Sequence, residues 1–358
     1  MSCSSAASLQ NAAESVRQLV NRVAATPDEA LSTAEFVVAD WKVRLRSTSP
    51  EITEIYSSRL RSRKPLAVHS SCLTLNLFEA SALGWASPES YSEWRGPPGH
   101  FESIVGKLGF RGVFHKAIEG EPGRDPCTIF DPNRQMGVQL IETMNNLPPW
   151  DVGAPCRILL NMGAVSRGWC LVHAAALSVG GDGVLIVGPG GAGKSGTTLA
   201  GVSTGLKTAG DDYVLVCPTS PPAALRVYNI FKQDRDRLSR ISGLVGATTR
   251  LKTNWNNKLE FDPEDVFPEC IVERVRLHAI LAPKIAYEPR TRLLKIDPQW
   301  MFQQLAPTLW TQLPGTQVSG FRFATWLTRS LPAYSVFLSD DPAEIGDTIG
   351  RFIVELTS

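Results

Sequence analysis

Apolar and polar positions in the first part of the chain follow two different spacings. Apolar residues recur at helical spacing in two segments, which predicts amphipathic helices over Leu9–Ala24 and Asp28–Val43. The segment Leu66–Phe78 alternates and predicts a strand. Clusters of proline and glycine predict exposed turns at 96–99 and 121–124. Residues 1–150 are therefore expected to form an α+β region with a helical start, and no pattern in them indicates a chemistry.

Short apolar runs alternate with helical runs in the rest of the chain, which is typical of an α/β domain. A proline-rich segment at 148–155 precedes this part, so we place a domain boundary near residue 150 and a second domain at 151–358. Strands are predicted at Trp169–Leu177, Val184–Val187 and Tyr213–Val216. Helices are predicted over Cys156–Val165, from about Lys194 to Val202, and behind Asp341-Pro342, where Ile345, Ile349, Phe352, Ile353 and Leu356 recur at helical spacing. We expect this last helix to pack on the sheet.

Length and composition restrict the class of protein. With 358 residues and 43% hydrophobic content, the chain can form two ordinary cores. Lys+Arg 36 balance Asp+Glu 35, and no basic stripe with interleaved aromatics occurs, so nucleic acid is not an expected partner. Seven cysteines without a C-x-x-C pair indicate reduced thiols. Since neither a signal-peptide pattern nor a membrane-length apolar stretch occurs, we expect a cytoplasmic protein with no membrane partner, and a homo-oligomer stays open.

The most informative segment joins the apolar run Val184–Val187 to the pattern G-x-x-x-x-G-K-[ST] at 188–195. Gly188 turns the chain, and the small residues after it let successive backbone N–H groups converge on an anion at a helix N-terminus. Lys194 can reach the β- and γ-phosphates of a nucleotide, and the Ser195 hydroxyl is a suitable Mg²⁺ ligand. The residues predicted to bind the nucleotide are Gly188, Pro189, Gly190, Gly191, Ala192, Gly193, Lys194, Ser195, Gly196 and Thr197.

Polar residues flank this segment on both sides. His173 lies within a predicted apolar strand, where a lone imidazole is also common as a satisfied core residue. Asp211 and Asp212 precede the apolar run Tyr213–Val216. Adjacent carboxylates between apolar stretches are costly to bury unless a cation or a transferred proton uses them. The pair therefore indicates chemistry, with a solvated Asp-Asp turn as the alternative.

These three elements, at positions 173, 188–195 and 211–212, together resemble the C-terminal kinase domain of HPr kinase/phosphorylase, which shares its phosphate-loop core with phosphoenolpyruvate carboxykinases. The resemblance covers His173 to about Val216. Four later segments are similar to a broader group of HPr-kinase-like bacterial proteins: 225–232, 279–285, 305–315 and 331–341. The fold that this resemblance implies is an α/β P-loop kinase domain of HPr-kinase/carboxykinase type behind the N-terminal α+β domain.

The resemblance also implies roles for the site residues. Lys194 would hold the nucleotide phosphates, and Ser195 with one of the aspartates would hold Mg²⁺. The other aspartate would deprotonate the acceptor hydroxyl, with His173 beside the pair. Spacing does not say which aspartate does which, and by analogy we prefer Asp211 as base and Asp212 as metal ligand.

The implied activity is an ATP- and Mg²⁺-dependent phosphotransfer to a hydroxyl, and we expect the acceptor to be a serine of a protein or peptide. Two alternatives stay open. The first is a nucleotide-sensing protein that binds ATP without turnover, and the second is a P-loop kinase of a small molecule.

The chain departs from the family pattern at two points that concern the acceptor. Gly196 stands where the bifunctional enzymes carry an acidic residue, so phosphorolysis is not expected. The glycine-rich signature for engaging HPr is not found either, and HPr is not the expected acceptor. Candidate cations that could cover phosphate oxygens are Lys232, Lys284, Arg290 and Arg292, with an ordinary surface charge as the alternative for each.

Overall fold

A computed structural model of the protein describes residues 3–62, 72–114, 125–241, 252–254 and 256–358. The chain divides into two compact units. The first comprises Met1–Arg61, Ala67–Arg167 and Leu313–Thr316, and the second comprises Ser62–Leu66, Gly168–Gln312 and Gln317–Ser358. The division thus falls after Arg167, whereas the sequence pattern places it near residue 150.

The first unit contains a six-stranded mixed sheet and several helices. Its elements are α1 (Cys3–Ala25), β1 (Ser32–Val38), β2 (Trp41–Ser47), α2 (Pro50–Leu60), β3 (Cys72–Glu79), α3 (His100–Gly106), β4 (Arg111–Phe114), β5 (Cys127–Asp131), β6 (Met136–Ile141), α4 (Pro149–Gly153) and α5 (Arg157–Ser166). The strand order is β1-β2-β3-β6-β5-β4. Strands β2, β3 and β6 run parallel, and the outer pairs are antiparallel.

Helix α1 follows the predicted helical spacing. Its buried side chains are Ala12, Ala13, Val16, Leu19, Val20 and Val23, one face of the helix. They pack with Trp94, Phe101 and Ile104 in one cluster. The first predicted helix is therefore confirmed, and burial of this stripe stabilises it.

The second predicted helix, over Asp28–Val43, is wrong. A short 3₁₀ turn at Asp28–Ala30 leads into the antiparallel pair β1–β2, whose register runs from Ser32 opposite Ser47 to Val38 opposite Trp41. Valine and aromatic residues favour strands, and buried positions alternate along β2, so a period of two competes with the helical spacing in this segment. Cross-strand pairing decides in favour of the hairpin.

The second unit holds a nine-stranded sheet and a small three-stranded one. Its elements are β7 (Cys170–Val172), β8 (Ala175–Val179), β9 (Asp182–Ile186), α6 (Lys194–Ser203), β10 (Lys207–Gly210), β11 (Val214–Cys217), β12 (Ala223–Arg226), β13 (Phe231–Gln233), α7 (Arg235–Ser239), β14 (Lys252–Thr253), β15 (Leu259–Phe261), α8 (Pro263–Val266), β16 (Arg274–Glu288), β17 (Arg292–Ile296), α9 (Pro298–Thr311), α10 (Gln317–Ser330), β18 (Ala333–Ser339) and α11 (Pro342–Thr357).

The large sheet is mixed and has the long strand β16 in its interior. Strand β16 pairs in parallel with β9 and β18 and antiparallel with β12. The path through the sheet is β10-β8-β9-β16-β12-β11-β7, with β18 on β16 and β17 on β18. The expected α/β class is therefore confirmed as a mixed α/β architecture.

Helices α6 and α11 form a layer in the second unit. Leu199 and Val202 of α6 share a core cluster with Ile345, Ile349 and Ile353 of α11 and with apolar residues of β8 and β9. The Asp341 side chain accepts a hydrogen bond from the Ala343 N–H, with Pro342 at the first helical position. The predicted closing helix is confirmed.

The predicted strand Trp169–Leu177 is two strands. Strand β7 lies beside β11, whereas β8 lies between β10 and β9, so the chain leaves one position of the sheet and enters another at His173-Ala174. The residues on both sides of this break are buried and apolar, and for that reason the hydrophobic pattern does not reveal it.

Among the helices that the structure describes, none combines the length and the apolar character that crossing a membrane requires.

Candidate functional site

The glycine-rich loop, residues 188–195, connects β9 to α6. Gly188, Gly191 and Gly193 have φ values of 146°, 82° and 109°, in the region that favours glycine. A Cβ on Gly193 would also lie 2.9 Å from Cδ1 of Leu338. The glycine spacing is therefore required by the backbone path, which enters α6 at Lys194, directly after Gly193. The N–H groups of a first helical turn are suited to bind an anion.

The Lys194 side chain folds back over this loop. Its Nζ donates to the carbonyl oxygens of Gly188, at 2.8 Å, and Pro189, at 3.3 Å, and the residue is 6% exposed. Burial lowers the pKa of the Lys194 ammonium, while the carboxylates of Asp212 and Asp211 oppose this shift. The ammonium group of Lys194 is therefore held against the carbonyl oxygens of its own loop.

The first turn of α6 uses its own threonines. The backbone N–H of Thr197 donates to the Gly193 carbonyl at 2.8 Å, and its hydroxyl donates to the same oxygen at 2.9 Å. The Thr198 hydroxyl donates to the Lys194 carbonyl at 2.9 Å. Thr197, predicted to bind nucleotide, thus directs both of its donors into the helix.

Asp211 is a buried carboxyl that follows β10. It is 4% exposed, and its Oδ1 has no hydrogen-bond partner among the described residues. Burial raises the pKa of Asp211 to about 7, and the charge of Asp212 adds to the rise, whereas the nearby side chains of Ser195, Lys194 and Thr198 oppose it. The fold therefore brings Asp211 to the start of α6, beside the predicted metal ligand Ser195.

Asp212 lies between two nitrogen donors. Its Oδ1 is 3.1 Å from Nε2 of His173, and its Oδ2 accepts from Nζ of Lys232 at 2.9 Å. Burial alone would raise the pKa of Asp212, but Lys232 and His173 hold it well below its usual range. With 26% of its side chain exposed, Asp212 is the more accessible of the two carboxylates.

His173 lies at the break between β7 and β8. Its ring centroid is 5.1 Å from that of Tyr213, and its Nδ1 has no hydrogen-bond partner within the described part of the chain. The Tyr213 hydroxyl in turn donates to Oε1 of Gln312 at 2.7 Å. Sequence reasoning missed Tyr213 because an aromatic residue in an apolar run carries no sign of its neighbours.

The four candidate cations occupy different surroundings. Lys232 contacts Asp212, as described. Nζ of Lys284 lies 4.5 Å from the ring centroid of Trp300, and Nη2 of Arg292 donates to Oε1 of Glu288 at 2.6 Å. Arg290 lies in the turn between β16 and β17. Lys232 is thus the cation that the fold brings to the carboxylates.

The described residues contain no group of three or more His, Cys, Asp or Glu side chains able to hold a metal ion alone. One carboxylate with a serine hydroxyl, completed by phosphate and water oxygens, is a usual set for Mg²⁺. The unpartnered Oδ1 of Asp211 beside Ser195 fits such a set.

Comparison with protein-family models and with curated proteins gives no match. Among solved structures, the chain is similar to the HPr(Ser) kinase/phosphatase from Coxiella burnetii, with 14% sequence identity over 52% of this chain and 99% of that chain. The TM-score is 0.27, which marks a weak structural similarity.

Proposed function

We propose that this protein is an ATP- and Mg²⁺-dependent phosphotransferase that acts on a hydroxyl group, with a serine of a protein or peptide as acceptor. The observation that carries the proposal is that the glycine-rich loop leads into a helix whose start lies beside one of two adjacent carboxylates of different character. Asp211 adjoins Ser195 at the start of α6, and Asp212 adjoins His173 and Lys232. A glycine-rich turn without such neighbours would support anion binding alone.

The loop and Lys194 supply the electrostatic part of the chemistry. Backbone N–H groups at the start of α6 and the Lys194 ammonium lie where they would bind the phosphates of ATP. Phosphoryl transfer depends mostly on positioning and on stabilising charge on the transferred group. To provide that charge, the Lys194 ammonium exchanges its hydrogen bonds to the Gly188 and Pro189 carbonyls for bonds to phosphate oxygens.

The two aspartates differ in ways that favour one distribution of roles. We assign Asp211 to the metal, because it is buried, has an unpartnered oxygen and adjoins the Ser195 hydroxyl. We assign Asp212 to the acceptor, because it is more exposed and is oriented by His173 and Lys232. This exchanges the roles preferred by analogy from the sequence, where the order of the pair was open.

In this assignment each atom of the transfer is accounted for. The acceptor oxygen attacks the γ-phosphorus, the bond from that phosphorus to the β–γ bridging oxygen breaks, and the hydroxyl proton passes to a carboxylate oxygen of Asp212. Bound Mg²⁺ would supply charge neutralisation on the phosphate oxygens. Lys232 and His173 hold the Asp212 carboxylate in one orientation.

Transfer from γ-labelled ATP tests the proposal. The purified protein is incubated with Mg-ATP and with serine-containing candidate peptides, next to Lys194→Ala and Asp212→Asn variants of unchanged melting temperature. Label on serine with the wild type and not with either variant is expected. Binding of Mg-ATP without any transfer would favour the alternative of a nucleotide sensor, and absence of binding would contradict both.

A further inference from the structure

A cavity of about 370 Å³ lies beside the first turn of α6, within the second unit. Gly193, Gly196 and Leu199 form its α6 wall, and they share one helix face because they are three residues apart. Ile285 of β16 and Leu338 of β18 contribute an apolar wall. The volume falls in the range of about 300–1,000 Å³ that is typical of small-molecule sites.

The cavity and the carboxylates adjoin different faces of α6. Ser195 and Thr198, which are also three apart, contact Asp211, whereas Gly196 and Leu199 line the cavity. In a phosphate-binding loop of this pattern, the lysine and the serine mark the end where the terminal phosphate and the metal lie. The cavity therefore lies on the face of the first α6 turn that is turned away from Asp211. The sugar and base of a bound nucleotide would extend toward this face.

One buried polar side chain of the cavity lacks a hydrogen-bond partner among the described residues. Gln233 is 4% exposed, and its Oε1 accepts from the Asp234 N–H at 2.9 Å, while its Nε2 donates to no group of the described chain. A buried donor without a partner is costly, so a ligand acceptor at this place would stabilise it.

Arg237 lies where the cavity meets the first turn of α6. A Cβ on Gly196 would be 3.3 Å from its Nη1, so the glycine leaves room for this guanidinium next to the loop. The position carries positive charge where the acidic residue of the resembling family would bring negative charge. The Nε of Arg237 lies 3.9 Å from Oδ2 of Asp234, and its Nη1 lies on the side of the loop, where a guanidinium is suited to phosphate oxygens.

We propose that this cavity takes the nucleoside end of the nucleotide, with the Gln233 amide donating to a ring nitrogen or oxygen and Arg237 lying beside the proximal phosphate. The inference rests on the proposed function, since it needs the phosphates on the glycine-rich loop. The apolar wall would pack against the base of the nucleotide, and the buried Gln233 amide would select for a base with a hydrogen-bond acceptor at that place.

Calorimetric titration with Mg-ATP and with Mg-tripolyphosphate separates the nucleoside from the phosphates. Ile285→Trp narrows the cavity from a position that is 36% exposed, so the substitution is tolerated by the core. Leu294→Trp is the matched control, because Leu294 is 48% exposed on β17 and does not line the cavity. Gln233→Glu keeps an acceptor for the Asp234 N–H and removes the amide donor.

The wild type is expected to bind Mg-ATP at least about tenfold more tightly than Mg-tripolyphosphate. Ile285→Trp and Gln233→Glu should each weaken Mg-ATP about tenfold and leave tripolyphosphate within about twofold, with the control unchanged. Equal affinity of the wild type for both ligands, or Mg-ATP affinity unaffected in both variants, would overturn the inference while the proposed function stands. If the wild type binds neither ligand, the proposed function fails and the inference fails with it.

Discussion

Two buried polar clusters, one in each compact unit, use their hydrogen-bonding groups differently. In the first unit, Arg46 is 6% exposed and its guanidinium donates to Asp28, to Asn76 and to backbone carbonyls of α1 and the turn after it. Asn76 in turn donates to the Gly137 carbonyl at 2.9 Å. This cluster ties α1, β2, β3 and β6 together.

The cluster at the glycine-rich loop is not saturated in this way. Oδ1 of Asp211 and Nδ1 of His173 are buried without a hydrogen-bond partner among the described residues, and Lys194 contacts carbonyls of its own loop. Leaving such groups unsatisfied costs free energy. The difference indicates that the Arg46 cluster serves folding, whereas the Asp211–Asp212 cluster holds groups available for a ligand. Three predictions test this contrast, in order of decreasing effect, and a fourth and smaller one concerns an exposed ion pair outside both clusters.

Asp212→Asn is expected to lower phosphoryl transfer about 10³-fold, because an amide cannot accept the hydroxyl proton. Mg-ATP affinity should stay within about threefold, since the loop and Ser195 are untouched. Single-turnover transfer and calorimetric titration measure the two quantities. Asp211→Asn is the comparison, and it should first raise the Mg²⁺ concentration needed for activity. A reversed pattern would restore the order preferred from the sequence.

Arg46→Ala is expected to lower the free energy of unfolding by about 3 kcal/mol, since it removes the donor from the buried Asn76 Oδ1 and from backbone carbonyls, whereas Asp28 keeps Arg44. Urea denaturation measures this loss. Because the cluster is assigned to folding, the Kd for Mg-ATP of the folded variant should be unchanged. A large loss of nucleotide affinity at unchanged stability would contradict the contrast between the clusters.

Lys194→Ala should have the opposite effect: it should weaken nucleotide binding and leave stability nearly unchanged. We expect Mg-ATP affinity to fall about 10²-fold, or about 2.7 kcal/mol, while the melting temperature changes little, because the hydrogen bonds of the ammonium go to two carbonyls of its own loop. Calorimetry with Mg-ATP and thermal unfolding monitored by circular dichroism give both values. Affinity and turnover like those of the wild type would end the proposal of a nucleotide site.

The smallest effect is expected at an exposed ion pair. Arg276, followed by His278, lowers the pKa of Asp182 to about 2 from a usual value of 3.8. A depressed pKa stabilises the folded chain above the ordinary pKa, and this contribution is lost as the pH falls toward about 2. Asp182→Asn should therefore reduce stability slightly at pH 6, with a difference from the wild type that shrinks between pH 5 and 2 in acid denaturation. A difference that grows on acidification would contradict the assigned shift.

The parts of the fold that sequence predicted well are those with one dominant spacing. Helices α1, α6 and α11 combine a clear apolar stripe or a glycine and proline boundary with burial on one side. Where two spacings compete, as in the β1–β2 hairpin, or where apolar residues continue through a break, as at His173, local pattern was insufficient. Strand partners are distant in sequence, so pairing rather than spacing decides these segments.

The sequence by itself determined the glycine-rich loop, since the path from β9 into α6 requires glycine at Gly188, Gly191 and Gly193 and this requirement is local. Only the tertiary structure decided the surroundings of the two aspartates. Asp211 meets Ser195, and Asp212 meets Lys232 and His173, because helix α6, strand β13 of the small sheet and the break after β7 all come to the turn between β10 and β11. Burial and charge at a carboxylate depend on such long-range neighbours, which adjacent positions in a sequence do not encode.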